Sequence, residues 1–88
     1  NSRKFLQISV GVSTQYDDRV MANVEAHQLA LRSEILGTMS EFTEESIQGK
    51  AGRQALATSL QDAINSKLTV LENFGGIDEV HFTSFVLQ

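Results

Sequence analysis

The sequence contains no cysteine and no proline in 88 residues. Without cysteine there is no disulfide framework, no zinc–cysteine cluster, no thiol nucleophile and no cysteine-ligated iron–sulfur site. The compartment stays open, because reducing and oxidising spaces both tolerate a cysteine-free chain. Average usage of about 5% would put roughly four prolines in this length. Their absence removes rigid linkers and proline kinks, so long unbroken elements joined by short turns are expected. Positive charge is also scarce: seven Lys+Arg face eleven Asp+Glu, a net charge of −4. Arg3 and Lys4 are the only adjacent basic pair. This balance argues against binding nucleic acid or an anionic membrane surface, both of which require a basic patch. No run approaches the roughly 18 apolar residues that span a bilayer, and no signal-peptide core is present.

What is there reads as one globular domain, with 41% hydrophobic and 20% charged residues. A chain of this size hides only about 60–65% of its unfolded surface, so its energetic margin is thin. Residues 3–16 alternate: Leu6, Ile8, Val10 and Val12 share one face, and Gln7, Ser9, Gly11 and Ser13 the other. This is the pattern of a half-buried strand. Asp17 and Asp18 then supply helix-starting carboxylates, and the period becomes helical from about residue 18 to 40. Val20, Val24, Leu31 and Ile35 form its stripe, and Leu29 and Leu36 form a second line beside it. The apolar sector is wide, which predicts neighbours on two sides of this helix.

Thr43-Glu44-Glu45-Ser46 marks a short helical turn over residues 43–48. A second long helix is predicted from residue 51 or 52 to about 71, with Leu56, Leu60, Ile64, Leu68 and Leu71 on its stripe. Gln54, Thr58, Gln61, Asp62 and Asn65 lie on its polar side. Gly75 and Gly76 are expected to supply the positive φ that ends it. Residues 77–87 alternate again, with Val80, Phe82 and Val86 on one face and His81, Thr83, Phe85 and Leu87 on the other. Strict alternation sends Phe82 and Phe85 to opposite faces and leaves apolar surface on the outside of the sheet. Upstream residues, a second subunit or another partner would cover it. The fold class is α+β, in the order strand, long helix, short helical turn, long helix, strand, with the two helices covering a small sheet.

Chemistry-bearing residues are few. Neither Asn23 nor Leu31, one turn either side of His27, is a metal ligand, and a zinc site from His27 and His81 would still need a carboxylate. No Gly-x-Ser-x-Gly elbow is present. The segment Gln48-Gly49-Lys50-Ala51-Gly52-Arg53 resembles a phosphate loop but carries Glu44 at the first glycine position and Ala51 in place of the hydroxyl residue. No catalytic residue, cofactor or metal ligand is assigned.

The C-terminal run Ile77-Asp78-Glu79-Val80-His81-Phe82-Thr83-Ser84-Phe85-Val86-Leu87-Gln88 resembles the closing signature of the flagellar basal-body-associated FliL family. Phe5-Leu6-Gln7-Ile8-Ser9-Val10 is similar to that family's first strand. Leu31-Arg32-Ser33-Glu34-Ile35-Leu36, Met39-Ser40 and Thr43-Glu44-Glu45 are similar to its helix and following turn. Gly49-Lys50, Leu56 and Ile64-Asn65-Ser66-Lys67-Leu68 are similar to its second helix. His81 departs from the aromatic residue often found before the Phe-Thr pair.

The resemblance implies a single periplasmic domain over residues 1–88, a fold similar to the stomatin/prohibitin domain, and an inner-membrane anchor helix upstream of Asn1. It implies a non-enzymatic role at the flagellar basal body. Copies would assemble as a membrane-anchored ring beside the stator proteins and support motor torque and swimming under load. Phe82, Phe85, Leu87 and His81 are the candidate residues for self-association or partner contact. No nucleic acid is expected as a partner, and membrane contact only through the anchor. A small α+β enzyme or ligand-binding subunit is the alternative from another class. It would need a pocket between helices and sheet, with His27 and Gln28 the interior-leaning polar groups. A generic oligomeric interaction module is the third reading.

Overall fold

The computed structural model describes residues 6–87, with the side chains of residues 7–86. Arg3, Lys4 and Phe5, taken as the start of the first strand, lie outside the described residues, as does the side chain of Leu87. The chain runs β1 (Leu6–Ser13), α1 (Asp18–Ala26), α2 (Gln28–Met39), a 3-10 turn (Glu45–Ile47), α3 (Lys50–Glu72) and β2 (Glu79–Leu87). The fold is α+β, as the patterning predicts. The two strands pair antiparallel, and all the helices lie between them in sequence.

The first long helix divides at His27, whose φ of −118° and ψ of 30° leave the helical region. Hydrogen bonds continue on both sides of the break. The His27 N–H donates to the Asn23 carbonyl at 3.1 Å, and the Leu31 N–H donates to the His27 carbonyl at 3.0 Å. The break is therefore a bend, made without proline or glycine. Asp17 caps α1 through a carboxylate that accepts the Arg19 N–H at 3.0 Å. Thr43 and Ser46 cap the short turn reciprocally: each hydroxyl accepts the other residue's N–H, at 3.1 and 3.0 Å.

Helix α3 is the spine. Leu56, Leu60, Ile64 and Leu68 are buried along it and meet Val20, Leu31, Ile47, Ile77 and Val80. Burial of each large aliphatic side chain stabilises the fold by about 1.5–3 kcal/mol. The polar side of α3 is not all solvent-facing, contrary to the pattern. Asn65 makes a reciprocal amide pair with Ile77, its Nδ2 donating to the carbonyl at 2.9 Å and its Oδ1 accepting the N–H at 2.8 Å. The Gln61 Nε2 donates to the carbonyls of Ile77 and Asp78, both at 3.0 Å. These amides fix the entry to β2, satisfying the Ile77 backbone and the Asp78 carbonyl while the Asp78 N–H donates to Ser13 of β1 at 2.9 Å. Helix α3 ends at Asn73, not at a glycine: Asn73 takes the left-handed conformation with φ 65°, a role asparagine tolerates because its side chain bonds locally. Gly76 has φ 82°. It also packs so close to Phe74 and Val20 that a Cβ would lie 2.7 Å from the phenylalanine ring.

The strand register corrects the facing of β2. Ser9 pairs with Ser84 and Val10 with Phe82, so Thr83 has no partner and forms a bulge. One extra residue inverts the alternation downstream. Phe85 therefore sits opposite Ile8, as Phe82 sits opposite Val10 and Val80 opposite Val12. Phe82 and Phe85 both pack on the core and meet edge to face, with ring centroids 5.5 Å apart. They do not point to opposite faces. The outer face carries Gln7, Ser9, Gly11 and Ser13 opposite Val86, Ser84, His81 and Glu79, so the apolar outer surface expected from straight alternation is not present. The bulge has a direct test in urea unfolding. Phe85→Ala should cost about 2 kcal/mol, less than truncation of a fully buried phenylalanine. Val86→Ala should stay within about 0.5 kcal/mol, and the reverse order would restore straight alternation.

Candidate functional site: an apolar groove between β1 and α2

The candidate residues on β2 separate into two groups. Phe82 and Phe85 belong to the core side, and the Arg53 guanidinium lies 4.3 Å from the centre of the Phe85 ring. The Arg53 Nε donates to the Ile47 carbonyl at 3.3 Å, so this side chain ties the 3-10 turn to β2. His81 is exposed on the outer face, with Nε2 3.3 Å from the Ser13 Oγ and 3.3 Å from the Glu79 Oε1. Leu87 holds the register position opposite Leu6, and its side chain lies outside the described residues.

His27 pairs elsewhere, its Nε2 lying 2.6 Å from the Glu72 Oε2 at the bend between α1 and α2. The two histidines therefore have different partners, and no cluster of three or more His, Asp or Glu suited to a metal ion occurs among the described residues. A paired carboxylate can orient an imidazole, but no hydroxyl shares the His27–Glu72 hydrogen bond among the described contacts.

The inward side chains of the other strand, Ile8, Val10 and Val12, are half-buried, and Val10 and Val12 pack against the core. Helix α3 crosses β2, whereas no described helix brings a Cα within 8 Å of β1. The inward side chains of β1 instead form one wall of a groove. Ile8, Val10 and Val12 face Leu31, Ile35 and Met39 of α2 across it. Ile64 of α3 lies in its floor at one end, and Arg32 borders it along its length. Among the described residues β2 is the only strand neighbour of β1, whose second edge carries no described strand. Such an edge presents unpaired N–H and C=O groups beside the groove.

Leu29 and Leu36 rise next to it. The expectation that α2 meets neighbours on two sides fails within this chain: Leu29 is 83% and Leu36 66% exposed. They are seven residues apart, two helical turns, and so share one face of α2. The Val20, Val24, Leu31 and Ile35 stripe does face the core.

Straight alternation puts the excess apolar surface on β2, whereas the most exposed large apolar side chains are Leu29 and Leu36 of α2 and Val70 of α3. The second line of leucines was the signal that pointed to α2. The bulge at Thr83 carries no glycine or other compositional mark, so the inversion of β2 was hidden.

A family model described as flagellar basal body-associated protein FliL matches residues 1–88. A search of curated proteins gave no match. The ridge can be separated from the core by unfolding the chain at low concentration. Leu29→Gln and Leu36→Gln should each change stability by no more than about 0.5 kcal/mol, and Leu31→Ala should cost about 3 kcal/mol. A large loss at Leu29 or Leu36 would place them in the folded core instead.

Proposed function

This chain belongs to the FliL family of flagellar basal body-associated proteins, and we propose that it is a non-catalytic assembly domain of that structure. In this reading residues 1–88 form one periplasmic domain, held at the inner membrane by a helix upstream of Asn1. Copies associate into a ring next to the stator units and support torque and swimming under load.

The observation that carries the assembly role is the apolar groove between β1 and α2, with the exposed leucines beside it. A surface of this kind on a small domain is suited to a partner. The open edge of β1 adds backbone hydrogen bonding to apolar contact, the combination used in strand addition. The occupant proposed here is a neighbouring copy of the chain. A repeated contact between unlike surfaces closes into a ring when its rotation permits. Membrane anchoring raises the effective concentration, so a weak contact suffices. Phe82 and Phe85 act in this scheme from behind the groove, by holding the sheet against α3. His81 and Leu87 are kept as candidates for contact with a stator protein.

The test uses the full-length anchored protein with Leu29→Glu and Leu36→Glu together. Wild type should form a multi-copy species in detergent and in lipid. The double variant should associate at least about tenfold more weakly, a loss equivalent to about 1.4 kcal/mol, and cells carrying it should swim more slowly in viscous medium. A wild-type protein that is monomeric in both detergent and lipid would contradict the ring.

A further inference from the structure

The end of the sheet where Ser13 pairs with Glu79 carries a second surface, opposite the end where Leu6 pairs with Leu87. Tyr16 and Phe74 meet there edge to face, with centroids 4.9 Å apart. Both rings are largely in water, 56% and 44% exposed, yet both are held in place. Phe74 follows the left-handed Asn73 cap and lies against Gly76 and Val20. The Thr14 hydroxyl donates to the Gly76 carbonyl at 2.6 Å and accepts the Tyr16 N–H at 3.1 Å, which ties the two loops together. Two fixed aromatic rings exposed on loops are preorganised for contact, because little motion remains to be lost on binding.

The rings border a cleft whose wall includes Asp17, Arg19, Asn23 and Glu72, with buried Val20 in its lining. Asp17 is partly engaged by Arg19, at 3.6 Å, and both side chains are well exposed. Asp18 follows Asp17 directly. Asp78 accepts the Gln15 N–H next to Tyr16, and Glu79 starts β2. Of these five carboxylates, Asp17 and Glu72 line the cleft beside the Arg19 guanidinium, Glu72 also meets the His27 imidazole, and Glu79 meets that of His81. The whole chain carries −4, and its other six acidic residues are matched by six basic ones. Two carboxylates thus line the aromatic cleft, and Asp18, Asp78 and Glu79 are close to its lining in sequence.

We propose that the cleft docks a cationic segment of a partner protein. An arginine or lysine of that segment lies over the exposed Tyr16 or Phe74 ring, where the ring's negative face attracts it. The carboxylates of Asp17 and Glu72 accept its N–H groups, and an adjacent aliphatic side chain packs toward Val20. The surrounding acids steer the approach and disfavour acidic partners. This surface is separate from the groove between β1 and α2, so it operates whether or not copies of the chain assemble.

The test is an amide NMR titration of this chain with the peptide acetyl-Gly-Arg-Leu-Arg-Leu-Gly-amide. The same peptide with glutamate replacing arginine serves as one control, and N-acetylchitotriose as another. The arginine peptide should perturb residues 14–23 and 72–79 and leave residues 41–45 unmoved. Tyr16→Ser, an exposed position, should weaken binding about fivefold with the remaining spectrum unchanged, and Glu72→Gln about threefold, with other changes in the free protein confined to the neighbourhood of its partner His27. Four results would overturn the proposal: no perturbation, perturbation spread over the other acidic residues, equal response to the glutamate peptide, or the same shifts from the saccharide.

Discussion

The unpaired residue Thr83 in β2 is the constraint on which the rest of the architecture depends. With one residue left out of the ladder, Val80, Phe82 and Phe85 all take positions opposite the inward residues of β1. With Val80 and Phe82 inward, a straight strand would have placed Phe85 in water and brought Val86 inward. The bulge lets a two-stranded sheet, marginal by itself, present an unbroken apolar face to α3. It also makes the outer face polar, so that this side needs no cover.

Relieving one face concentrates the demand on another. Helix α3 lies over β2 and is fixed there by the Asn65 and Gln61 amides and by Arg53 on Phe85. β1 receives no helix of its own. Its inward side chains line a groove toward α2, whose outer face adds Leu29 and Leu36. An asymmetric cover over a small sheet therefore sets β2 under α3 and leaves a half-buried groove between β1 and α2. Membership of a basal body-associated family fits a domain that presents exposed leucines beside an apolar groove.

The parts of this fold set by local periodicity were legible in the sequence. The alternation of Ile8, Val10 and Val12, and the four-residue spacing of Leu56, Leu60, Ile64 and Leu68, each report a single buried face. What could not be read depends on tertiary context. The bend at His27 has no proline or glycine to announce it and coincides with the Glu72 contact from a distant helix. Gln61 and Asn65 look like solvent-facing positions until Ile77 is brought against them. The facing of Phe85 turns on whether Thr83 pairs, and that is decided by Ser9 and Val10 on the other strand.

The central claim is that copies of the chain associate through β1 and α2 and not through the outer face of the sheet. Hydrogen exchange on the lipid-assembled chain, compared with its monomer, measures this directly. The account predicts that residues 6–13 and 36–39 exchange about tenfold more slowly on assembly, as backbone openings there become rarer, while residues 79–86 are unchanged. Slowing confined to residues 79–86, or no change in any of these segments, would contradict it.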